Sequence, residues 1–226
     1  MKIALIGRGK TGGKVLEIAK DHDVTTFSSE NPITALKLRD FDVAICFIPG
    51  EAFLSIVPTL LEANIPLVSG CTGHDWPHHV SETLKKNNQT WVYGTNFSLG
   101  MRLINEMINT LSKTPNLFQN YKFDIHEIHH TKKLDAPSGT ALSWKEWLNL
   151  EADVTSERIG DVVGDHKVTL TTPNEVITLN HQALDRKIFA EGALWTAEYL
   201  LKNNKLGPGL FKFEQLASDQ LNDQGN

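Results

Sequence analysis

Apolar positions follow two different rhythms along the chain. Residues 2–6 (KIALI) form a short β-rich run, followed at once by Gly7-Arg8-Gly9-Lys10-Thr11-Gly12-Gly13. Val15, Leu16, Ile18 and Ala19 then recur at helical spacing, with Lys14, Glu17 and Lys20 on the polar side. Residues 24–27 read as a second strand. Residues 41–48 (FDVAICFI) are apolar almost without a break, the mark of a strand buried on both faces of a parallel sheet. Pro49-Gly50 ends that run, and residues 52–63 follow as a helix. A strand is expected over residues 65–69, ending at Gly70-Cys71-Thr72-Gly73, then a helix over 80–87 and a strand over 90–93. Strand alternating with helix from the outset predicts a doubly wound α/β layer.

Beyond Asn96-Phe97-Ser98 the rhythm changes. A helix is expected near residues 100–113, an alternating strand over 121–130, and a helix over 138–150 with Ser138 near its N-cap. Residues 167–171 and 176–180, joined by Thr172-Pro173-Asn174-Glu175, read as an antiparallel hairpin. Residues 188–202 form a strongly periodic helix, and Gly207-Pro208-Gly209 stops whatever precedes it. The predicted fold class is α/β: a Rossmann-type dinucleotide-binding domain over residues 1–98 and 187–226, and an α+β domain with a mixed or antiparallel sheet over residues 99–186.

Composition narrows the class. At 226 residues and 40% hydrophobic, the chain has material for a sizeable core and is not disordered. The longest apolar stretch, residues 53–61, is interrupted by Ser55, Pro58 and Thr59, well short of the ~20 residues of a membrane span. A net charge of −5 argues against sequence-independent nucleic-acid binding, which needs clustered cations. Two cysteines, Cys46 and Cys71, allow neither a disulfide framework nor a four-cysteine zinc site. The opening residues pass straight into a strand and do not read as a secretory leader, so a cytoplasmic protein is expected.

Gly7, Gly9 and Gly12 stand where a dinucleotide loop needs them, directly after a strand and opening a helix. The first permits a tight turn, the second lets a pyrophosphate approach the backbone, and the third lets helix pack on strand; helix N–H groups then hold the anion. The plainer alternative is a glycine-rich turn with no ligand. About twenty residues on, where NAD sites carry an acid for the ribose, the chain reads Phe27-Ser28-Ser29, with Glu30 late. Ser28 neither pairs with both ribose hydroxyls nor repels a 2′-phosphate. With Arg8 and Lys10 in the loop, NADPH is predicted to serve at least as well as NADH, unless those two are merely solvated charges.

His126-Glu127-Ile128-His129-His130 matches the H-E-x-x-H pattern of zinc proteases. That chemistry needs a helix. On a strand, His126 and His130 would stand ~13 Å apart, too far to share a zinc with bonds of about 2.0–2.1 Å. No metal site is therefore expected. Glu127 and His129 instead share one strand face, Lys133 follows in a loop, and Ser138-Gly139-Thr140 opens a helix with hydroxyls and free N–H groups. Together these read as an anion-receiving group beside transferable protons; the bland reading is a solvated, His-rich turn with an ordinary cap.

The run Glu127-Ile128-His129-His130-Thr131-Lys132-Lys133-Leu134-Asp135-Ala136-Pro137-Ser138-Gly139-Thr140-Ala141 closely resembles the signature of the 4-hydroxy-tetrahydrodipicolinate reductase (dihydrodipicolinate reductase) family. Gly70-Cys71-Thr72-Gly73 looks like that family's loop near the nicotinamide, and Asn96-Phe97-Ser98-Leu99-Gly100 like its domain-crossing segment. Arg158-Ile159-Gly160-Asp161-Val162-Val163-Gly164-Asp165-His166 and Gly209-Leu210-Phe211 match later motifs. The resemblance implies hydride transfer from NADPH or NADH to C4 of a cyclic unsaturated dicarboxylate, on the diaminopimelate route to lysine. By it, His129 and Lys133 donate the proton, and His130, Ser138, Gly139 and Thr140, with Lys133, hold the substrate carboxylates. The implied dinucleotide contacts are Gly7, Arg8, Gly9, Lys10, Thr11, Gly12, Ser28, Gly70, Cys71, Thr72, Gly94, Thr95, Asn96 and Phe97. It also implies a homotetramer formed through the second domain, with the hairpin of residues 167–180 as the natural candidate.

Departures are visible. Little chain separates Phe27 from the strand near Phe41, so adenosine contacts do not carry over; Thr11 stands where methionine is common, and Cys71 where threonine often occurs. Cys71 is expected to be a buried, inert thiol, with redox sensitivity as the alternative. Two other readings remain: another Rossmann oxidoreductase acting on an imine or amino acid, and a non-catalytic NAD(P) sensor.

Overall fold

Strand β1 (Lys2–Ile6) runs between β2 (Asp23–Phe27) and β3 (Val43–Cys46), and three more strands extend the sheet on the β3 side. These are β4 (Leu67–Ser69), β5 (Thr90–Tyr93) and β10 (Gly209–Lys212), giving the order β2-β1-β3-β4-β5-β10 with every pairing parallel. This computed structural model describes residues 1–202 and 206–223. Successive residues of β1 point to opposite faces, so Ala4 and Ile6 join one core and Ile3 and Leu5 the other. On the first face they meet α3 (Gly50–Ala63) and α4 (His79–Lys86) through Phe53, Leu60, Val80 and Leu84. On the second they meet α1 (Gly12–Ile18), α7 (Lys187–Lys202) and α8 (Phe213–Asn222) through Val15, Ala190, Ala193 and Phe213. A short helix, α2 (Ala35–Leu38), lies between β2 and β3. The expected doubly wound layer is present.

The sheet reverses its order at β1, which pairs with β2 on one side and β3 on the other. Open α/β sheets bind ligands outside the carboxyl ends of the strands at such a switch point. The loop after β1 is the glycine loop, and the loop after β3 carries Phe47 and Ile48. β3 is shorter than the apolar run of residues 41–48, because Pro49-Gly50 forces the chain out of the ladder to begin α3. Sequence reading missed β10 and α8. They abut with no turn between them, and four strand residues show no periodicity.

A second unit comprises Gly100–Asp185, and the first Met1–Leu99 with Arg186–Asn226. Its sheet has the order β7-β6-β8-β9, from β6 (Lys122–His129), β7 (Asp153–Arg158), β8 (Gly164–Thr171) and β9 (Val176–Ala183). β7 lies parallel to β6, and β8 and β9 follow antiparallel, so the sheet is mixed. The hairpin is real and longer than expected. β7 went unread because DVTSER is a polar edge strand with only half-buried inner positions. Helices α5 (Gly100–Leu111) and α6 (Gly139–Leu148) cover one face, packing Ile104, Ile108, Trp144 and Leu148 on Phe123, Ile125, Val168 and Leu170. No helix among the described residues is long and apolar enough to cross a membrane.

Candidate active site

Along β6 every second side chain is buried: Phe123, Ile125, Glu127 and His129. The inner face is thus apolar at one end and ionisable at the other. The polar end is built by register. Glu127 lies opposite His166 on β8 and Ser156 on β7, and His129 lies opposite Arg158. The Glu127 carboxylate, with no exposed surface, contacts Nδ1 of His129, accepts from Nη1 of Arg158 at 2.9 Å, and accepts from the Ser138 N–H at 3.3 Å. Arg158 also donates through Nη2 to the Asp135 carbonyl, which ties the loop of residues 130–138 to the strand ends.

Electrostatics follow from this burial. Desolvation pushes the Glu127 carboxyl up, but the Ser156 hydroxyl, Arg158 and His129 outweigh it and hold the group below the ordinary glutamate value. Burial lowers His129 below the usual histidine value; Glu127 pulls the other way, and Lys133 and Arg158 add to the lowering. Burial, reinforced by His129, takes His166 down to about 3, so its ring is neutral at pH 7. That ring stacks edge-on to His129 with centroids 4.9 Å apart, and its Nε2 shares a hydrogen bond with the Ser138 hydroxyl at 3.2 Å. Gly164 leaves room for the pair, since a Cβ there would lie 3.1 Å from Nε2 of His129.

The remaining residues named from the sequence cluster less tightly. Lys133 is half-buried, and its ammonium rests on Asp135 at 2.8 Å. Asp135 is held below its ordinary value by Lys133 first, with the Gly139 backbone contributing. This internal carboxylate therefore occupies the cationic, N–H-rich position expected to receive an anion. Ser138 caps α6 by accepting from the Ala141 N–H at 3.2 Å and is 1% exposed, so its hydroxyl is engaged inside the unit. Gly139 is exposed, and a Cβ there would meet nothing within 4 Å among the described residues. Nδ1 of His130 is buried without a hydrogen-bond partner among the described residues.

The zinc-protease pattern dissolves on the strand. His126 faces away from Glu127, towards Thr155 and Glu157 on β7. Glu127, His129 and His166 do bring possible ligand atoms within 4.8 Å of one another. Arg158 on one carboxylate oxygen and His129 on the other already engage that carboxylate, and a guanidinium beside it opposes a further cation. Sequence reading assigned no role to Arg158 or His166. Both lie in the matched later motif, but only strand pairing reveals what they touch.

In the other unit, the three loop glycines differ in what forbids a side chain. Gly7 has φ +96°, and a Cβ would lie 2.5 Å from the Phe47 carbonyl oxygen. At Gly12 a Cβ would lie 2.0 Å from the Gly7 carbonyl oxygen. At Gly9 it would meet nothing within 4 Å among the described residues, and Arg8 and Lys10 beside it are exposed. Open space over one glycine and close packing under the other two is the cradle a pyrophosphate fits. The Gly7 N–H donates to the Phe27 carbonyl at 3.1 Å, which sets Ser28 next to the loop; the Ser28 hydroxyl accepts from the Glu30 N–H at 3.2 Å. Thr72 and Thr95 are exposed, and Gly94 is anchored to Ser69 by its N–H at 3.1 Å. The Asn96 side chain accepts from the Ser98 N–H at 2.9 Å. The Phe97 ring is enclosed between Phe47 and Phe213, so it belongs to the core and positions its segment.

A glycine loop at the switch point of a parallel sheet, with a separate unit carrying a buried carboxylate–imidazole centre, is the build of a nicotinamide-dinucleotide-dependent oxidoreductase. Residues 100–216 match the family model described as dihydrodipicolinate reductase, C-terminus. The chain is 37% identical over 240 residues to the 4-hydroxy-tetrahydrodipicolinate reductase of Christiangramia forsetii, covering 97% of this chain and 98% of that one. It is 34% identical over 215 residues to the enzyme of the same name from Thermosipho africanus, covering 94% and 96%. Both relatives are matched nearly end to end. In fold it is similar to the dipicolinate-bound dihydrodipicolinate reductase of Paenisporosarcina sp. TG-14, with a TM-score of 0.73 at 18% identity over 96% of this chain and 99% of that one. The chain belongs to the dihydrodipicolinate reductase family.

Proposed function

We propose that the chain reduces 4-hydroxy-tetrahydrodipicolinate, or its dehydrated form, to tetrahydrodipicolinate on the diaminopimelate route to lysine. The observation that carries the reading is the Glu127–His129–Arg158 cluster tied to the Ser138-Gly139-Thr140 turn, in a member of this family. A nicotinamide dinucleotide bound at the glycine loop supplies the hydride. All else falls to side chains of the second unit. Lys133, His130 and the Gly139 and Thr140 backbone receive the substrate carboxylates, one of which takes the place Asp135 now fills at Lys133. Ser138 holds that turn in shape. Hydride arrival leaves electron density to neutralise, and His129 and Lys133 are the pair that delivers the proton. Nδ1 of His129 faces Glu127, so the proton that ring transfers is the one on Nε2. A placed acid of this kind contributes roughly 10²–10⁴-fold.

Cofactor contacts fall to Gly7, Arg8, Gly9, Lys10, Thr11, Gly12 and Ser28, and to the segments Gly70 to Thr72 and Gly94 to Phe97. With Ser28 in place of an acid and two exposed cations in the loop, NADPH serves at least as well as NADH. The enzyme works in the cytoplasm as a homotetramer, on a small dicarboxylate and without nucleic acid or membrane. A coupled assay tests the reading: pyruvate and aspartate semialdehyde are fed through the upstream synthase while NAD(P)H absorbance is followed. Oxidation that depends on this protein is expected, and its absence overturns the assignment. Michaelis constants for the two cofactors decide the preference; a strong bias to NADH refutes it.

A further inference from the structure

The two cysteines of the chain meet in the first unit. Cys46 is the last residue of β3, Cys71 lies two residues past β4, and their sulfurs are 3.4 Å apart. Backbone holds them in place: the Gly70 N–H donates to the Cys46 carbonyl at 2.9 Å, and the Ile48 N–H points at the Cys71 sulfur at 3.5 Å. Cys46 is fully buried, whereas Cys71 is 8% exposed, so a small reagent reaches Cys71 first. We propose that Cys46 and Cys71 form a dithiol modification site, which a small peroxide converts to an intramolecular disulfide beneath the dinucleotide loop.

Chemistry and surroundings support this. Hydrogen bonding from Cys46, the Ile48 N–H and Ser69 holds the Cys71 thiol below its ordinary value in spite of burial, while burial and the neighbouring sulfur raise Cys46. Cys71 is therefore the attacking thiolate. It breaks the peroxide O–O bond, becomes a sulfenic acid and releases hydroxide. The Cys46 sulfur then displaces the sulfenic oxygen to form the S–S bond, and its proton leaves with that hydroxyl as water. Two electrons pass from the two thiols to the peroxide, whose oxygens end as two waters. Bonding at ~2.05 Å requires the sulfurs to close by about 1.4 Å.

That closure has nowhere neutral to go. A Cβ on Gly70 would lie 2.0 Å from the Phe47 ring, so the turn is already pressed on Phe47, and the Phe47 carbonyl forms the floor under Gly7. Drawing Cys71 towards β3 therefore displaces the support of the glycine loop. Reduced affinity for the dinucleotide follows, and this last consequence rests on the loop being its site.

The test treats the folded protein with hydrogen peroxide, blocks remaining thiols with an alkylating agent, and maps the peptides by mass spectrometry. A Cys46–Cys71 cross-linked peptide pair, reversed by dithiothreitol, is expected. In Cys46→Ser, Cys71 should stop at a sulfenic acid captured by dimedone. Unlinked Cys71 driven to sulfinic acid in the wild type, or two thiols that stay unreacted until the protein is denatured, overturns the proposal. NADPH titration by tryptophan fluorescence, with and without oxidation, reads the consequence as a tenfold or greater weakening restored on reduction. Protein that forms the link but binds no NADPH even when reduced would count against the dinucleotide site and leave the dithiol standing.

Discussion

The Glu127 carboxylate lies against Nδ1 of His129, two residues along the same strand, and neither has appreciable exposure. A fully buried carboxylate beside an imidazole fixes which nitrogen carries the transferable proton, and it favours the charged ring against the desolvation that opposes it. His129→Gln should lower kcat by about 10²–10⁴-fold with little change in KM, because an acid acts mainly in the transition state. Glu127→Gln keeps the shape and removes the charge. The basic limb of its kcat–pH profile should then move to lower pH, and an NMR titration of the His129 ring should move with it. Lys133, Arg158 and His166 also face the ring, and all three are unchanged in this variant. A normal kcat in His129→Gln removes the acid role; an unshifted profile in Glu127→Gln removes the influence of Glu127.

Lys133 has two tasks that substitution can separate. It is paired with Asp135 at 2.8 Å, a pairing that a substrate carboxylate would replace. Lys133→Ala should raise KM and lower kcat together. Lys133→Arg keeps a cation for the carboxylate but offers a group that does not deprotonate in proteins. It should restore KM towards the wild type and leave kcat depressed. Recovery of both parameters would confine Lys133 to binding.

Much of this architecture is legible in the residues, for identifiable reasons. The first sheet announces itself because KIALI and the apolar run around VAIC are buried on both faces and need no polar alternation. The glycine loop is legible because sterics at Gly7 and Gly12 leave no alternative residue. His129 and Ser138 are legible because the strand period and the helix cap are local. What is hidden is non-local. Arg158 reaches Glu127 only because β7 runs parallel to β6 across a helix, and β7 itself is too polar to declare a strand. His166 meets Ser138 through antiparallel register, and Cys46 meets Cys71 across two parallel strands. Pairing of distant segments decides these contacts, and no spacing within one segment encodes it.

His166 makes the second unit acid-sensitive. In the unfolded chain it takes up a proton near the ordinary 6.5, in the folded chain only near about 3. Its contribution to stability is therefore complete above pH 6.5 and is lost progressively as the pH falls towards 3, at about 1.4 kcal/mol per pH unit for one such group. His129, Glu127, His181 and Lys133 all act on this ring, and the lowered carboxyl of Glu127 adds loss in the same direction below its ordinary value of 4.5. Thermal unfolding followed from pH 7 to pH 4.5 should show Tm falling, and His166→Gln should flatten that slope whatever its absolute Tm. A variant with the wild-type slope would show that the acid sensitivity arises elsewhere.

The outer edge of the second sheet carries the prediction about assembly. Among the described residues β9 pairs only with β8, and at its start Val176 and Ile177 are 62% and 41% exposed. Bare apolar edges invite pairing with another chain, and native proteins usually blunt them with charge. This edge is not blunted there, which suits an interface between copies. Light scattering coupled to size exclusion should give the mass of a tetramer for the wild type. Val176→Lys with Ile177→Lys, which places like charges on this edge, should lower the assembly state while far-UV circular dichroism stays unchanged. A tetramer that survives both lysines would move the interface to another face of the unit, and a monomeric wild type would remove the tetramer altogether.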